Sequence, residues 1–365
     1  MKGGLLIKMA NRALLGAVLL AWAASGCDLA SQATDPFDRN STEGLGSIAF
    51  ASEREGDFDI YAMAENGATL VRLTTHQGRD SSPSWSPDGS KILFSTAREV
   101  ANPEIYAMDF TGENPFNVSR LPQAEANPVW SPDGTQITFD SRRDGNSEIY
   151  AMSFDGSRVQ RLTHHRAEDR NPSWSPDGTQ ITFDSGREIY VDPSKEIDPE
   201  EIEALEVSAI LVNQVARTLN DSSFNPQIYI MDADGGNVRR LTSSPSRDRE
   251  PSWSPDGSKI AFSSDRAGTP DIYVVAVEGG EPVNLTRSSF ADTSPSWSPD
   301  GSKIAFVSNR LGARDIFTMQ SNGKDVRNLT QTVYDDIEPA WMPEIDLDTR
   351  DRCLFCSGQI SFGRF

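Results

Sequence analysis

The chain has 365 residues, with 54 Asp and Glu against 34 Lys and Arg, for a formal net charge of −20 at pH 7. So acidic a balance argues against a nucleic-acid binder, whose affinity rests on cationic contacts to phosphate, and suits a soluble surface or a cationic partner. The length allows one large closed domain, and recurring Ile, Val, Phe and Trp argue against disorder throughout.

Residues 1–26 read as an export signal. Lys2, Lys8 and Arg12 make a basic start, the apolar run 13–24 is short for a finished span, and A-S-G-C at 24–27 sets small residues before Cys27. The pattern resembles a bacterial lipoprotein signal, which implies cleavage before Cys27 and lipid attachment to its thiol. It predicts an exported chain, in the periplasm or cell envelope, anchored to a membrane through that lipid. An ordinary signal peptide with an incidental Cys27 is the alternative, and the choice of inner or outer membrane stays open. Residues 27–45 lack periodicity and read as a flexible tether whose ends lie roughly 20 to 25 Å apart.

From residue 46 a fixed period takes over. Trp85, Trp130, Trp174, Trp253, Trp297 and Trp341 are separated by 45, 44, 79, 44 and 44 residues. Tyr61, Tyr106, Tyr150, Tyr229, Tyr273 and Phe317 keep the same steps. Six units are therefore present, the long step holding one period plus about 35 inserted residues. Each unit carries four short apolar stretches broken by Gly, Pro and Asp. In the fifth they are P-S-W-S (251–254), K-I-A-F-S-S (259–264), D-I-Y-V-V-A-V (271–277) and P-V-N-L-T (282–286). Four antiparallel strands per unit predict an all-β fold, a six-bladed β-propeller over 46–342. The first unit lacks a P-S-W strand and the last copy stops at Trp341. The Trp341 strand is therefore expected to complete the sheet begun by residues 46–75, pairing the two chain ends and closing the ring.

The inserted residues, about 187–226, break one blade. Asp198, Pro199 and Glu201 make a capping-box start, and Ile202, Leu205, Ala209, Val212 and Ala216 follow at helical spacing, widened by Val207, Leu211 and Val215. A helix is expected there, packed on the host domain or docking a partner. Residues 343–365 form a tail in which Cys353 and Cys356 make a lone C-x-x-C, read as a local disulfide or an unstructured end.

The motifs W-S-P-D-G-[ST]-[KQ]-I-x-F, R-x-G-x-x-[DE]-I-Y-x-M and D-G-x-x-x-x-[RN]-L-T resemble the repeats of the TolB propeller family. The likeness covers about 300 residues and is specific for the fold. It implies a propeller of the cell envelope that binds another envelope protein, in the manner of a Tol-Pal system. The family sets an α/β domain before its propeller; here a lipoprotein-type leader is expected instead, so a role in the Tol machinery itself stays open.

Superimposing the copies gives two rings of charge. Three residues before each strand-one proline stands an acid: Asp80, Glu125, Asp169, Asp248, Asp292 and Asp336. They are expected on the connection into the innermost strand, near a mouth of the channel, where they attract a cation or basic partner or accept local hydrogen bonds. Four residues after each strand-two phenylalanine stands Arg54, Arg98, Arg143, Arg187, Arg266 or Arg310. Their expected partners are the acids opening strand three, Asp59, Glu104, Glu148, Asp271 and Asp315, with Gln227 breaking the series. Catalytic groups are sparse. His76, His164 and His165 are the only histidines, no G-x-S-x-G elbow occurs, and neither a metal nor a cofactor is expected. The reading is a monomeric, non-enzymatic, protein-binding scaffold. Its alternatives are a glycan-active lyase or hydrolase, or a small-ligand sensor, using the propeller funnel.

Overall fold

The computed structural model describes residues 48–98, 102–120, 123–187 and 225–344. These form six four-stranded antiparallel sheets arranged as a propeller. The first sheet is closed by both ends of the ring: β24 (Asp336–Trp341), β1 (Ile48–Ser52), β2 (Asp59–Met63) and β3 (Val71–Arg72). The second holds β4 (Asp80–Trp85), β5 (Lys91–Thr96), β6 (Glu104–Asp109) and β7 (Phe116–Asn117). The third holds β8 (Glu125–Trp130), β9 (Gln136–Ser141), β10 (Glu148–Ser153) and β11 (Gln160–Arg161). The fourth holds β12 (Asp169–Trp174), β13 (Gln180–Ser185), β14 (Gln227–Asp232) and β15 (Arg239–Arg240). The fifth is β16 (Asp248–Trp253), β17 (Lys259–Ser264), β18 (Asp271–Ala276) and β19 (Val283–Asn284). The sixth is β20 (Asp292–Trp297), β21 (Lys303–Ser308), β22 (Asp315–Gln320) and β23 (Arg327–Asn328).

The expected closure is present. β24 pairs β1 with Trp341 opposite Ile48 and Asp336 opposite Ser52. An N-terminal strand thus shares a sheet with the C-terminal one, and neither is left as an edge. The expected helix of the insertion, Cys27, the tether and the tail cysteines all lie outside the described residues.

Burial follows the taper of a ring. The two middle strands of each sheet face neighbouring sheets on both sides and are buried along most of their length. Phe50, Phe94, Phe139, Phe183, Phe262 and Phe306 are fully buried, each worth about 1.5 to 3 kcal/mol of apolar transfer. The outermost strands are two residues long, which leaves little edge for another chain to pair with. The innermost strands pack one against the next around the bore. Each begins at its ring acid, so these acids open the strand instead of preceding it.

Within every innermost strand one residue takes a left-handed conformation. Ser82, Asn127, Asn171, Glu250, Ser294 and Glu338 have φ between 52° and 58°, and the strand register shifts there. The bulge lets six strands converge on a narrow axis without their side chains colliding. We call the face carrying the strand two to three and blade-to-blade connections the upper face, and the face with the S-P-D-G hairpins the lower. Pairing of Ile48 with Trp341 puts both described chain ends at the lower face.

Glycines in the outer lower hairpins let neighbouring sheets touch. A Cβ on Gly112 (φ +87°) would lie 2.4 Å from the Leu73 carbonyl oxygen of the first sheet. Gly279 (φ +96°), its counterpart in the fifth sheet, meets nothing within 4 Å. Gly112→Ala is expected to cost about 3 kcal/mol or more, and Gly279→Ala about 1 to 2 kcal/mol from backbone strain alone. Urea unfolding of the two variants checks this; equal losses would refute the close-approach account.

Candidate functional site

The two charged rings meet at the upper edge of every sheet. Nη2 of each ring arginine reaches the acid that opens strand one of the same sheet, at 2.7 to 3.2 Å for Arg54–Asp336, Arg98–Asp80, Arg143–Glu125, Arg266–Asp248 and Arg310–Asp292. Arg187 and Asp169 pair likewise. Nε donates to the hydroxyl that ends strand two, Ser52, Thr96, Ser141, Ser185, Ser264 or Ser308, at 2.8 to 3.2 Å. The guanidinium carbon stands 4.4 to 5.1 Å from the ring centre of the strand-three aromatic, Tyr61, Tyr106, Tyr150, Tyr229, Tyr273 or Phe317. All six acid side chains are 0% exposed.

This corrects the expected pairing. The arginines bind the strand-one acid, and the strand-three acids find other partners. Asp59 and Glu148 pair with Arg72 and Arg161, both at 2.6 Å. Glu104, Asp271 and Asp315 accept from Asn117, Asn284 and Asn328 at 2.6 to 3.0 Å. The Thr of the [RN]-L-T motif completes this second set: Thr163 Oγ1 accepts from Ile149 N–H at 2.9 Å and donates to Glu148 at 2.6 Å. Gln227 fits the same slot as an amide, accepting from Ser244 N–H at 2.9 Å.

Above this layer the upper face is uneven. Phe290, Leu311, Val333 and Tyr334 are exposed, Leu311 by 65% and Val333 by 84%. Backbone and side-chain bonds put them on one rim. Ala291 N–H donates to Asn309 Oδ1 (3.0 Å), and Arg314 N–H to Asp335 Oδ1 (2.9 Å), at either end of the loop that carries Leu311. The corresponding blade-to-blade connections carry His76 in the second sheet's approach and His164 and His165 in the fourth's. His76 Nδ1 contacts the Gln77 carbonyl at 2.7 Å, and His165 Nδ1 accepts from Ala167 N–H at 3.0 Å. Among the described residues no three His, Cys, Asp or Glu side chains are grouped to hold a metal ion. On the lower face a cleft of about 450 Å3 lies between the fifth and sixth sheets, with Lys259, Trp297 and Ser321 in its wall.

The sequence pattern of the TolB β-propeller domain matches residues 41–121, 113–192, 212–292 and 271–348. The chain belongs to the TolB β-propeller family. It is 58% identical over 43 residues to the Tol-Pal system protein TolB of Bordetella pertussis, which is 12% of this chain and 10% of that protein. It is 44% identical over 64 residues to a TolB homolog of Chlorobium chlorochromatii, 18% of this chain and 14% of the relative. The crystal structure of TolB from Acinetobacter baumannii aligns over 83% of this chain and 68% of that one, with 25% identity and a TM-score of 0.63.

In this TolB-type propeller the buried ring is electrostatically uneven. One carboxylate oxygen of Asp80, Glu125 and Asp169 has no hydrogen-bond partner among the described residues. Burial pushes Glu125 up to about 7, against the pull of Ser119 and Arg143, and Asp169 up to about 6, against Arg187. On the lower face the hairpin acids shift the other way. Asp256 is lowered to about 2 because it accepts from Ser254 Oγ (2.6 Å) and from Ser258 N–H (3.0 Å). The bore holds four further carboxylates that neither ring includes, Asp140, Asp184, Glu250 and Glu338. The polar residue ahead of each strand-one proline is the signal that marks two of them.

Removing an arginine leaves a buried acid unpaired. Arg98→Ala is expected to lose about 3 to 5 kcal/mol, and Asp80→Asn added to it should restore much of that; chemical denaturation of both variants decides. The pH response follows from the raised acids. A carboxyl raised by folding holds its proton more tightly in the folded chain, so its stabilisation is full below about pH 4 and is lost as pH rises through about 7. Glu125→Gln should therefore flatten the fall in Tm between pH 5 and pH 8, and an unchanged slope would contradict the assignment.

Proposed function

We propose that the chain is a non-enzymatic, protein-binding propeller of the bacterial cell envelope, anchored through lipid on Cys27 and offering its upper face to another envelope protein. The observation that carries this reading is the break in six-fold symmetry on that face. Among the described residues, the large apolar side chains exposed on the upper connections are Phe290, Leu311, Val333 and Tyr334, all on the rim over the fifth, sixth and first sheets. A soluble domain that exposes large apolar side chains together on one rim offers a contact surface. The insertion supports the same choice of face, because Arg187 and Asn225, which flank it, both lie on the β13–β14 connection.

The charged rings lie beneath the upper face and hold its connections in place rather than touching the partner. Membership of the TolB family supports an envelope partner of Tol-Pal type, since its relatives include Tol-Pal system proteins.

Photo-crosslinking tests the reading. A crosslinkable residue at Leu311 in the full lipidated chain should capture one discrete envelope protein in the native host, while the same residue at Lys259 on the lower face should not. Phe290→Asp with Val333→Asp, in the chain that keeps the crosslinkable residue at Leu311, should abolish capture with Tm unchanged. Equal crosslinking from both faces would overturn the assignment of the face, and a Cys27→Ala variant that stays as membrane-bound as the parent chain would overturn the anchor.

A further inference from the structure

A belt of carboxylates lining the bore bridges four of the six seams between neighbouring sheets. Glu338 of the first sheet accepts from Ser82 N–H of the second at 2.6 Å. Asp140 of the third accepts from Asn171 N–H of the fourth at 3.3 Å, and Asp184 of the fourth from Glu250 N–H of the fifth at 3.1 Å. Glu250 accepts from Ser294 N–H of the sixth at 2.7 Å. All four donors belong to the left-handed residues of the innermost strands, whose bulge turns that N–H out of the strand ladder. At the seam of the second and third sheets the link is Ser82 Oγ to Asn127 Oδ1 (2.9 Å), and Asn127 in turn donates to Asp140 at 2.7 Å.

The surroundings of the belt are short of positive charge. Asp140 faces Asn127, Ser147, Asn171 and Arg170. Asp184 faces Asn171, Glu250 and Arg249. Glu250 faces Asp184, Ser263 and Ser294, and Glu338 faces Ser82, Arg79, Arg314 and, unfavourably, Glu250. Arg170 and Arg314 are already paired with Glu168 and Asp335. Asp184 and Glu250 therefore meet at the seam of the fourth and fifth sheets, and Glu250 also repels Glu338 of the first sheet.

We propose that the belt is a proton-operated clamp: ionised, its carboxylates push apart and loosen the seams that Asp184, Glu250 and Glu338 bridge, and protonated, they tighten the same seams. The proton comes from solvent in the bore. A protonated acid keeps an oxygen that accepts the neighbouring N–H, gains an O–H donor and loses its repulsion. The direction agrees with burial, which raises Asp140 to about 6, Asp184 to about 7 and Glu338 above its ordinary range. Like any carboxyl raised on folding, these groups stabilise most in acid and least above about pH 7.

Ser95 supplies a second handle. Its hydroxyl is buried without a hydrogen-bond partner among the described residues. It stands at the register position that holds Asp140, Asp184 and Ser263 in the next three sheets.

The test is amide hydrogen exchange on the folded chain at pH 8 and pH 6, corrected for intrinsic rates. Protection at Ser82, Glu250 and Ser294 should rise several-fold at pH 6, and Tm should rise by about 3 to 6 °C. Asp184→Asn with Glu338→Gln should remove most of the change in protection, whereas Ser95→Asp should steepen it by adding an acid to the belt. Glu125→Gln with Asp169→Asn, which alters the upper ring alone, should leave the response of these amides intact. Equal protection at the two pH values, or a response that survives in the Asp184→Asn, Glu338→Gln variant, would overturn the proposal.

Discussion

Each sheet depends on one planar cation. The ring arginine bonds the acid at the start of strand one and the hydroxyl at the end of strand two, while its flat face covers the aromatic of strand three. Three strands are thereby fixed at their upper ends by a single group. A lysine could supply the charge but neither the fork nor the flat surface, so the chemistry selects Arg in every copy. The buried acid would cost several kcal/mol alone, and becomes tolerable only because a guanidinium is aimed at it. The lower ends are pinned by the reverse arrangement. There an exposed aspartate bonds its own hairpin and gains from staying ionised.

What recurs in all six sheets maintains the ring; what differs is free to serve a partner. Arginine, acid, buried phenylalanine and left-handed residue repeat without exception among the described sheets. The departures concentrate on the upper face: the apolar rim, the Gln227 position and the connection that holds the insertion. A second departure lies on the lower face, where Gly279 does not meet the neighbouring sheet as Gly112 does. The two classes lie in different layers. The acids are buried and the arginines half-buried over them, while the apolar rim stands above in solvent, so change at the surface leaves the weld intact.

The period, the four strands per unit and the shared sheet of the two chain ends were all readable in the sequence. Each follows from spacing and from alternating apolar residues, which the fold uses directly. The partner of each arginine was not readable. Arg98 is six residues from Glu104 and eighteen from Asp80, and an antiparallel meander brings both acids to the same edge. Packing decides between them: Asp80 is buried beneath the guanidinium, while Glu104 is already met by Asn117. The apolar rim was hidden for another reason. Phe290, Leu311, Val333 and Tyr334 lie in connections without periodicity, and only the folded ring sets those connections side by side.

The bore shows how a constraint on shape becomes a chemical property. Six strands must converge, and a left-handed residue in each relieves the crowding. That conformation turns a backbone N–H away from its strand, and a buried N–H without an acceptor costs about 1 to 3 kcal/mol. Carboxylates serve in four of the sheets, placed on the left-handed residue itself in Glu250 and Glu338 or on strand two in Asp140 and Asp184. No sheet carries both, but at the seam of the fourth and fifth sheets Asp184 and Glu250 come together and repel. Geometry thus requires an acceptor, the acceptor brings a charge, and the confined charge ties proton binding to the packing of the ring.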